Sequence, residues 1–148
     1  MSSLDVAAKL RAEGFKVTPQ RLAIYQALLE YDKHPTAECV YRNLHPTYPT
    51  MSLATVYKTM DIFKQIGLVR ILNVGDDSNR YDYDVAPHTH ICCSVCGRIE
   101  DVYDVDLGKI YTKVKTSSGY EVTNDHISFK GICPQCLEQN KCLEHNKH

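Results

Sequence analysis

Two Cys-x-x-C pairs constrain this chain more than any other feature. Cys93-Ser94-Val95-Cys96 and Cys133-Pro134-Gln135-Cys136 are separated by 36 residues. Each pair brings two thiolates within about 2.3 Å of one Zn²⁺, and the two together complete a tetrahedral S₄ set. The chain must therefore leave one knuckle and return to it with the other. A gap of that length exceeds the usual zinc-ribbon spacing, which calls for a strand, a helix and returning strands tied together by the metal. Ile99–Val105 reads as the strand, Leu107–Thr116 as a helix with Leu107, Ile110, Tyr111 and Val114 aligned, and Tyr120–Ile132 as the return. Reduced structural thiols and a thioredoxin-type couple are the alternatives, the second disfavoured because no βαβ pattern flanks the knuckles. A closed S₄ site stabilises a fold and leaves no position open for catalysis.

Such a staple matters because 148 residues make one ordinary domain or two small ones, and a small core is marginal alone. With 43% apolar and 24% charged residues the chain is neither disordered nor collagen-like. No apolar run approaches the roughly 20 residues of a membrane span, so no membrane association is expected. The opening Met1-Ser2-Ser3-Leu4-Asp5-Val6 lacks the pattern of a secretory signal, so a cytoplasmic location is expected. Seven cysteines in that reducing compartment point to metal or redox chemistry rather than disulfides. Only Cys39 precedes residue 76, where Lys and Arg number 9 against 6 acids; from residue 76 onward they number 8 against 12. A mildly basic first half and an acidic, Cys- and His-rich second half suit a polyanion and cations respectively, with scattered surface charge as the plainer explanation.

The first half spells out four helices and a hairpin. Leu4, Ala7, Ala8 and Leu10 recur at helical spacing over residues 3–13, ending at Gly14. Thr18-Pro19 supplies a cap and a first-turn proline for a second helix with Leu22, Tyr25, Leu28 and Leu29 on one face. His34-Pro35-Thr36 caps a short third helix burying Val40, Tyr41 and Leu44, and Pro46 and Pro49 keep it from continuing. Ser52 caps a fourth with Leu53, Val56, Tyr57, Met60, Phe63 and Ile66 as the inner stripe, Thr55, Lys58, Thr59, Asp61 and Gln65 outside, and Gly67 at its end. Leu68–Val74 and Asn79–Asp84 then flank the turn-rich Gly75-Asp76-Asp77-Ser78. Short helices followed by a hairpin make a winged helix, which sets a recognition helix into the major groove. Ser52, Thr55, Tyr57, Lys58 and Thr59 are the expected contacts to phosphate or base edges, with a solvated helix face as the bland alternative. The fold class is thus α+β: a winged-helix domain over 1–84, then a small α/β domain with the Cys₄ site and a C-terminal tail over 85–148.

Outside the cysteines, His88-Thr89-His90 places both imidazoles on one face of a strand, since side chains repeat every two residues. Asp82 lies just upstream and Asp101 follows the first knuckle, although Asp104 and Asp106 are equally plausible acids on spacing alone. Imidazole with carboxylate suits Fe²⁺, Mn²⁺ or Zn²⁺.

These residues resemble the ferric uptake regulator family of bacterial metal-dependent repressors. Val17-Thr18-Pro19-Gln20-Arg21, His34-Pro35-Thr36-Ala37, Ala54-Thr55-Val56-Tyr57, the Asp82 hairpin, His88-Thr89-His90-Ile91-Cys92-Cys93 and both knuckles occur in family order. The resemblance implies a winged-helix DNA-binding domain with Arg21 among its contacts, a short hinge and a dimerisation domain whose structural zinc is held by Cys93, Cys96, Cys133 and Cys136. It also implies a regulatory Fe²⁺ or Mn²⁺ held by His34, Asp82, His88, His90 and Asp101. Aspartate at both carboxylate positions looks like the peroxide-sensing branch, in which iron at this site reduces H₂O₂ and oxygen is added to a ligand histidine, here His34 or His88. The implied partners are a palindromic double-stranded DNA operator and a second copy of the chain, with hydrogen peroxide as the only small-molecule signal.

The family's further acid- and histidine-rich site is not matched, because Pro87 and Thr89 stand where ligands would be, although Asp125 and His126 remain nearby. A repressor responding to ferrous iron or another divalent ion is the alternative within the class. A non-haem iron enzyme using His88, His90 and a carboxylate is the alternative outside it, but needs a substrate pocket and turnover, so no enzymatic activity is expected. A metal-storage module would bind ions without metal-dependent affinity for DNA. Cys39, Cys92 and Cys142 lie outside the quartet, and the tail could engage an ion through Cys142, His145 and His148, a frayed terminus being the better expectation.

Overall fold

The computed structural model describes residues 1–31, 34–73, 78–123 and 125–145, with side chains to residue 139. The chain divides into two compact units, Met1–Val85 and Ala86–His148. Among the described residues no helix is long and apolar enough to cross a membrane.

In the first unit, α1 (Ser3–Ala12), α2 (Pro19–Leu29), α3 (Ala37–Leu44) and α4 (Leu53–Gln65) precede β1 (Arg70–Asn73) and β2 (Asn79–Asp82). Side-chain oxygens start the helices. Thr18, Thr36 and Ser52 each accept from the backbone N–H three residues on, satisfying donors that a helix end otherwise leaves orphaned. Ser2 does the same for α1 within a capping box completed by Asp5, a device not anticipated from the sequence. Gly14 and Gly67 follow α1 and α4 with φ of +78° and +70°, a backbone conformation that costs glycine nothing.

One core holds the four helices to the hairpin. Val6, Leu10, Ile24, Leu28, Val40, Val56, Met60 and Phe63 are fully buried, and Tyr25 meets Phe63 edge to face at 5.6 Å. Three expectations need correction. Leu4 is 82% exposed and Ala8 is also outside, because α1 turns Val6, Ala7 and Leu10 inward. Thr59, expected on the outer face of α4, is 2% exposed: three residues after Val56 and four before Phe63, it lies on the buried stripe. Tyr57, expected on that stripe, is 38% exposed.

β1 and β2 pair antiparallel from Arg70↔Asp82 to Asn73↔Asn79. The expected turn between them falls largely outside the described residues. The segment entering α3 joins this hairpin: Thr36 bridges Arg80, and the Tyr81 N–H donates to the Pro35 carbonyl at 3.0 Å.

In the second unit, β3 (Thr89–Cys93), β4 (Ile99–Val102), α5 (Leu107–Ser118), β5 (Ser128–Gly131) and α6 (Pro134–His145) follow in order. The sheet order is β4-β3-β5, with β4 antiparallel and β5 parallel to β3. The return expected over Tyr120–Ile132 narrows to Ser128–Gly131, the other described residues of that stretch carrying no strand. On α5 only Leu107 is buried, Ile110 and Tyr111 are half-buried, and Val114 is 42% exposed. One copy therefore leaves the apolar face of α5 partly bare, along with Phe129 and Ile91, which are paired on neighbouring strands. The tail positions expected to engage a metal lie outside the described side chains.

Candidate metal centres and nucleic-acid face

The four knuckle cysteines converge. Their sulfur atoms lie within 4.8 Å of one another, with Cys96 and Cys133 at 3.8 Å. Thiolates about 2.3 Å from a tetrahedral ion stand roughly 3.8 Å apart, so the set fits Zn²⁺. β3 delivers Cys93 at its end, and the Gly97 N–H donates back to the Cys93 carbonyl at 2.9 Å, closing the first knuckle. Cys136 arrives on the first turn of α6.

Hydrogen bonds polarise this cluster. Backbone N–H groups of Cys96 and Cys133 aim at the Cys93 sulfur, the latter at 3.3 Å, and draw its thiol down to about 6. Cys136, bonded through its own thiol to Cys133, Cys96 and Cys93 and partly desolvated, is pushed up to about 12. Backbone donors thus favour thiolate at Cys93, while the closeness of the other sulfurs opposes a second negative charge in the cluster that a cation would offset.

A second ligand set occupies the far end of the same sheet. His88 and His90 approach to 3.0 Å between their Nε2 atoms, and Asp101 Oδ1 lies 3.6 Å from His88 Nε2 and 3.4 Å from His90 Nε2. Strand register places them: His90 pairs across β3 and β4 with Asp101, while Thr89 points away and is buried at 1% exposure. Metal–ligand distances of about 2.1 Å put adjacent donors roughly 3.0 to 3.4 Å apart, so the separations fit one divalent ion. The Ala86 carbonyl accepts from His88 Nδ1 at 2.8 Å, which leaves Nε2 as the lone-pair nitrogen facing the set.

The first unit carries an imidazole–carboxylate pair of the same chemistry. His34 Nε2 is 3.7 Å from Asp82 Oδ2, with side chains 9% and 4% exposed. The pairing follows from the fold, since the Thr36–Arg80 bridge fastens the His34 segment beside the end of β2. Asp82 Oδ1 is held in turn by the Asp84 N–H at 2.8 Å. Sequence reasoning passed over Tyr103, whose ring stacks on His88 at 5.0 Å between centroids and whose hydroxyl donates to Asp101 Oδ2 at 3.3 Å. Its position two residues after Asp101, and hence on the same side of a strand, was the available signal.

On α4, Ser52, Tyr57 and Lys58 are exposed and Thr55 is half-buried, whereas the buried Thr59 is in no position to meet a ligand. The Tyr57 hydroxyl donates to the Glu38 carboxylate of α3, a contact that holds Glu38 below its ordinary range. The Ser52 and Thr55 hydroxyls are 2.9 Å apart. Arg21, half-buried on α2, donates to the Lys16 carbonyl at 2.5 Å.

Comparison with known proteins gives a consistent picture. The model of the ferric uptake regulator family matches residues 12–130. The peroxide-responsive repressor PerR of Staphylococcus epidermidis is 37% identical over 132 residues, which span 89% of this chain and 88% of that protein. Among solved structures, the Campylobacter jejuni peroxide stress regulator matches with a TM-score of 0.69 and 30% identity over 92% of this chain and all of that one. PerR from Streptococcus pyogenes, a structure described in terms of peroxide sensing and gene regulation, matches with a TM-score of 0.53 and 35% identity over 90% and 92% of the two chains.

Proposed function

Since the chain belongs to the ferric uptake regulator family, we propose that it is a metal-dependent DNA-binding transcriptional repressor that responds to hydrogen peroxide. The observation that carries this reading is the pairing of imidazole with aspartate in both units, His34 with Asp82 and His88 and His90 with Asp101. The peroxide-related names of its relatives favour the same signal.

In this reading Cys93, Cys96, Cys133 and Cys136 hold a structural Zn²⁺, and His34, Asp82, His88, His90 and Asp101 jointly hold a regulatory Fe²⁺ or Mn²⁺. Ferrous iron, if bound there, would supply the reducing power that opens the peroxide O–O bond. Overall, one peroxide oxygen would leave as water and the other would be inserted into a ring C–H bond of His34 or His88, so that the imidazole is oxidised by two electrons and ceases to be a good ligand. The metal favours the DNA-competent state only by the difference in its affinity for the two states, so losing one ligand erodes that difference. Arg21, Ser52, Thr55, Tyr57 and Lys58 would face the DNA, phosphate contacts setting register and base-edge contacts specificity.

The repressor acts in the cytoplasm as a homodimer. Exposed Ile91, Val114 and Phe129 are the apolar surface that a second copy would cover. Two-fold symmetry then calls for a palindromic operator with half-sites at a fixed helical spacing.

The test is peptide-resolved mass spectrometry after anaerobic Fe²⁺ loading and stoichiometric H₂O₂, beside a Mn²⁺-loaded control. The expected result is a one-oxygen adduct on His34 or His88 with iron alone, accompanied by loss of operator binding. Unmodified histidines in a protein whose DNA affinity still follows added metal would make it a sensor of the metal instead.

A further inference from the structure

Tyr103 is the most exposed member of the cluster at the end of β3 and β4, at 57% accessibility, yet it contacts both His88 and Asp101. Its ring lies 28° from the plane of His88 with centroids 5.0 Å apart, and its hydroxyl donates to Asp101 Oδ2 at 3.3 Å. The two carboxylate oxygens are thereby divided, Oδ2 turned to Tyr103 and Oδ1 to the imidazoles at 3.4 and 3.6 Å. His88 is fixed from two directions, by the Ala86 carbonyl at Nδ1 and by the phenol ring on its face. A residue so exposed contributes little to a core, so packing alone does not account for this placement.

We propose that Tyr103 is a positioning residue that presets His88 and Asp101 for a divalent ion and thereby sets the affinity of the regulatory site. The inference rests on reading His88, His90 and Asp101 as ligands. Its physical basis is preorganisation. A carboxylate free to rotate, beside an imidazole free to tilt, must lose that freedom when an ion binds; a phenol that has already removed it lowers the cost. Contacts that orient metal ligands typically change affinity by about 10- to 100-fold when lost. Tyr103→Phe keeps the ring on His88 and removes the hold on Asp101, whereas Tyr103→Leu removes both.

The experiment uses the full-length, zinc-loaded protein, with Mn²⁺ affinity measured by electron paramagnetic resonance and Co²⁺ ligand-field absorption as a second readout. Tyr103→Phe should bind Mn²⁺ several-fold more weakly and shift the Co²⁺ bands. Tyr103→Leu should weaken Mn²⁺ binding by about 10- to 100-fold, with phenylalanine at that position recovering part of the loss. Thermal unfolding of both variants should match the parent protein, since Tyr103 is 57% exposed and lies outside the buried core. Parental Mn²⁺ affinity and an unchanged Co²⁺ spectrum in both variants would overturn the proposal. His90→Ala separates the two levels: if it too binds Mn²⁺ like the parent, the ligand reading fails and the role of Tyr103 falls with it.

Discussion

Asp101 stands directly across the sheet from His90, with Oδ1 3.4 Å from Nε2. Backbone pairing between β3 and β4 therefore meets part of the cost of bringing an acid to a histidine before any metal arrives. Asp101→Asn preserves shape and removes the charge, so Mn²⁺ affinity should fall at least about tenfold. Isothermal titration of the zinc-loaded protein checks this, and an unchanged affinity would remove Asp101 from the ligand set.

Removing zinc should unfold the second unit selectively. Its described core is thin, with Cys93, Ile99, Leu107 and Cys136 its buried apolar residues, so the thiolate cluster replaces burial that the chain does not supply. Cys96→Ser or a strong chelator should abolish hydrogen-exchange protection in β3, β4 and β5 while α1 to α4 stay protected. Equal loss of protection in both units would contradict this assignment of stability.

Lys58 and Thr59 are neighbours with opposite environments. Lys58→Ala should weaken operator binding across all sequences and reduce the salt dependence by roughly one counterion, as for a phosphate contact. Thr59→Val, made at a position 2% exposed, should leave the salt dependence unchanged. Fluorescence anisotropy over a series of salt concentrations distinguishes the two.

Alkaline stability should depend on Tyr81. Burial, reinforced by the charges of Asp61, Tyr57 and Glu38, pushes its phenol up to about 12, against about 10 in an unfolded chain. Between those values the unfolded chain releases a proton that the folded one retains. The contribution is fully present below about pH 10 and is lost as pH rises through about 12. Tyr25, also raised chiefly by burial, adds in the same direction. Denaturant midpoints measured from about pH 9 to 11, a range bracketing the free phenol value, should fall less steeply in Tyr81→Phe than in the parent.

Leu4 and Leu10 provide a direct comparison within one helix. Leu10→Ala should cost about 2–5 kcal/mol, whereas Leu4→Ala should change stability by less than about 0.5 kcal/mol. Urea unfolding of the two variants measures both, and comparable losses would mean that α1 packs in a different rotation.

How far the chain reveals itself depends on whether a signal is local. Thr18-Pro19, Thr36 and Ser52 marked helix starts because a capping oxygen acts within three residues. The knuckles announced themselves because each brings its own pair of thiolates. The inward face of α1 was ambiguous, since Leu4, Val6, Ala7, Ala8 and Leu10 contain two overlapping apolar stripes and tertiary packing selects between them. Thr59 was misplaced because its hydroxyl suggested solvent, whereas its interval from Val56 and Phe63 decided its environment. The parallel pairing of β3 with β5 was hidden for another reason: its partners are almost 40 residues apart and no turn encodes their register. Tyr103 escaped notice in part on similar grounds: its spacing from Asp101 was local, but its stacking on His88 appears only when β4 lies beside β3.

β3 carries His90 near one end and Cys93 at the other; β4 leaves the first cysteine knuckle and β5 leads into the second. The order of assembly follows from this wiring. Without zinc the sheet has no clasp, and without the sheet His90 and Asp101 have no common register in which to meet an ion. The chain must mature in two steps, first filling the sulfur cluster and then becoming able to sense anything. On the function proposed above, a cell short of zinc would accumulate copies that cannot repress, and scarcity of zinc would imitate the peroxide signal.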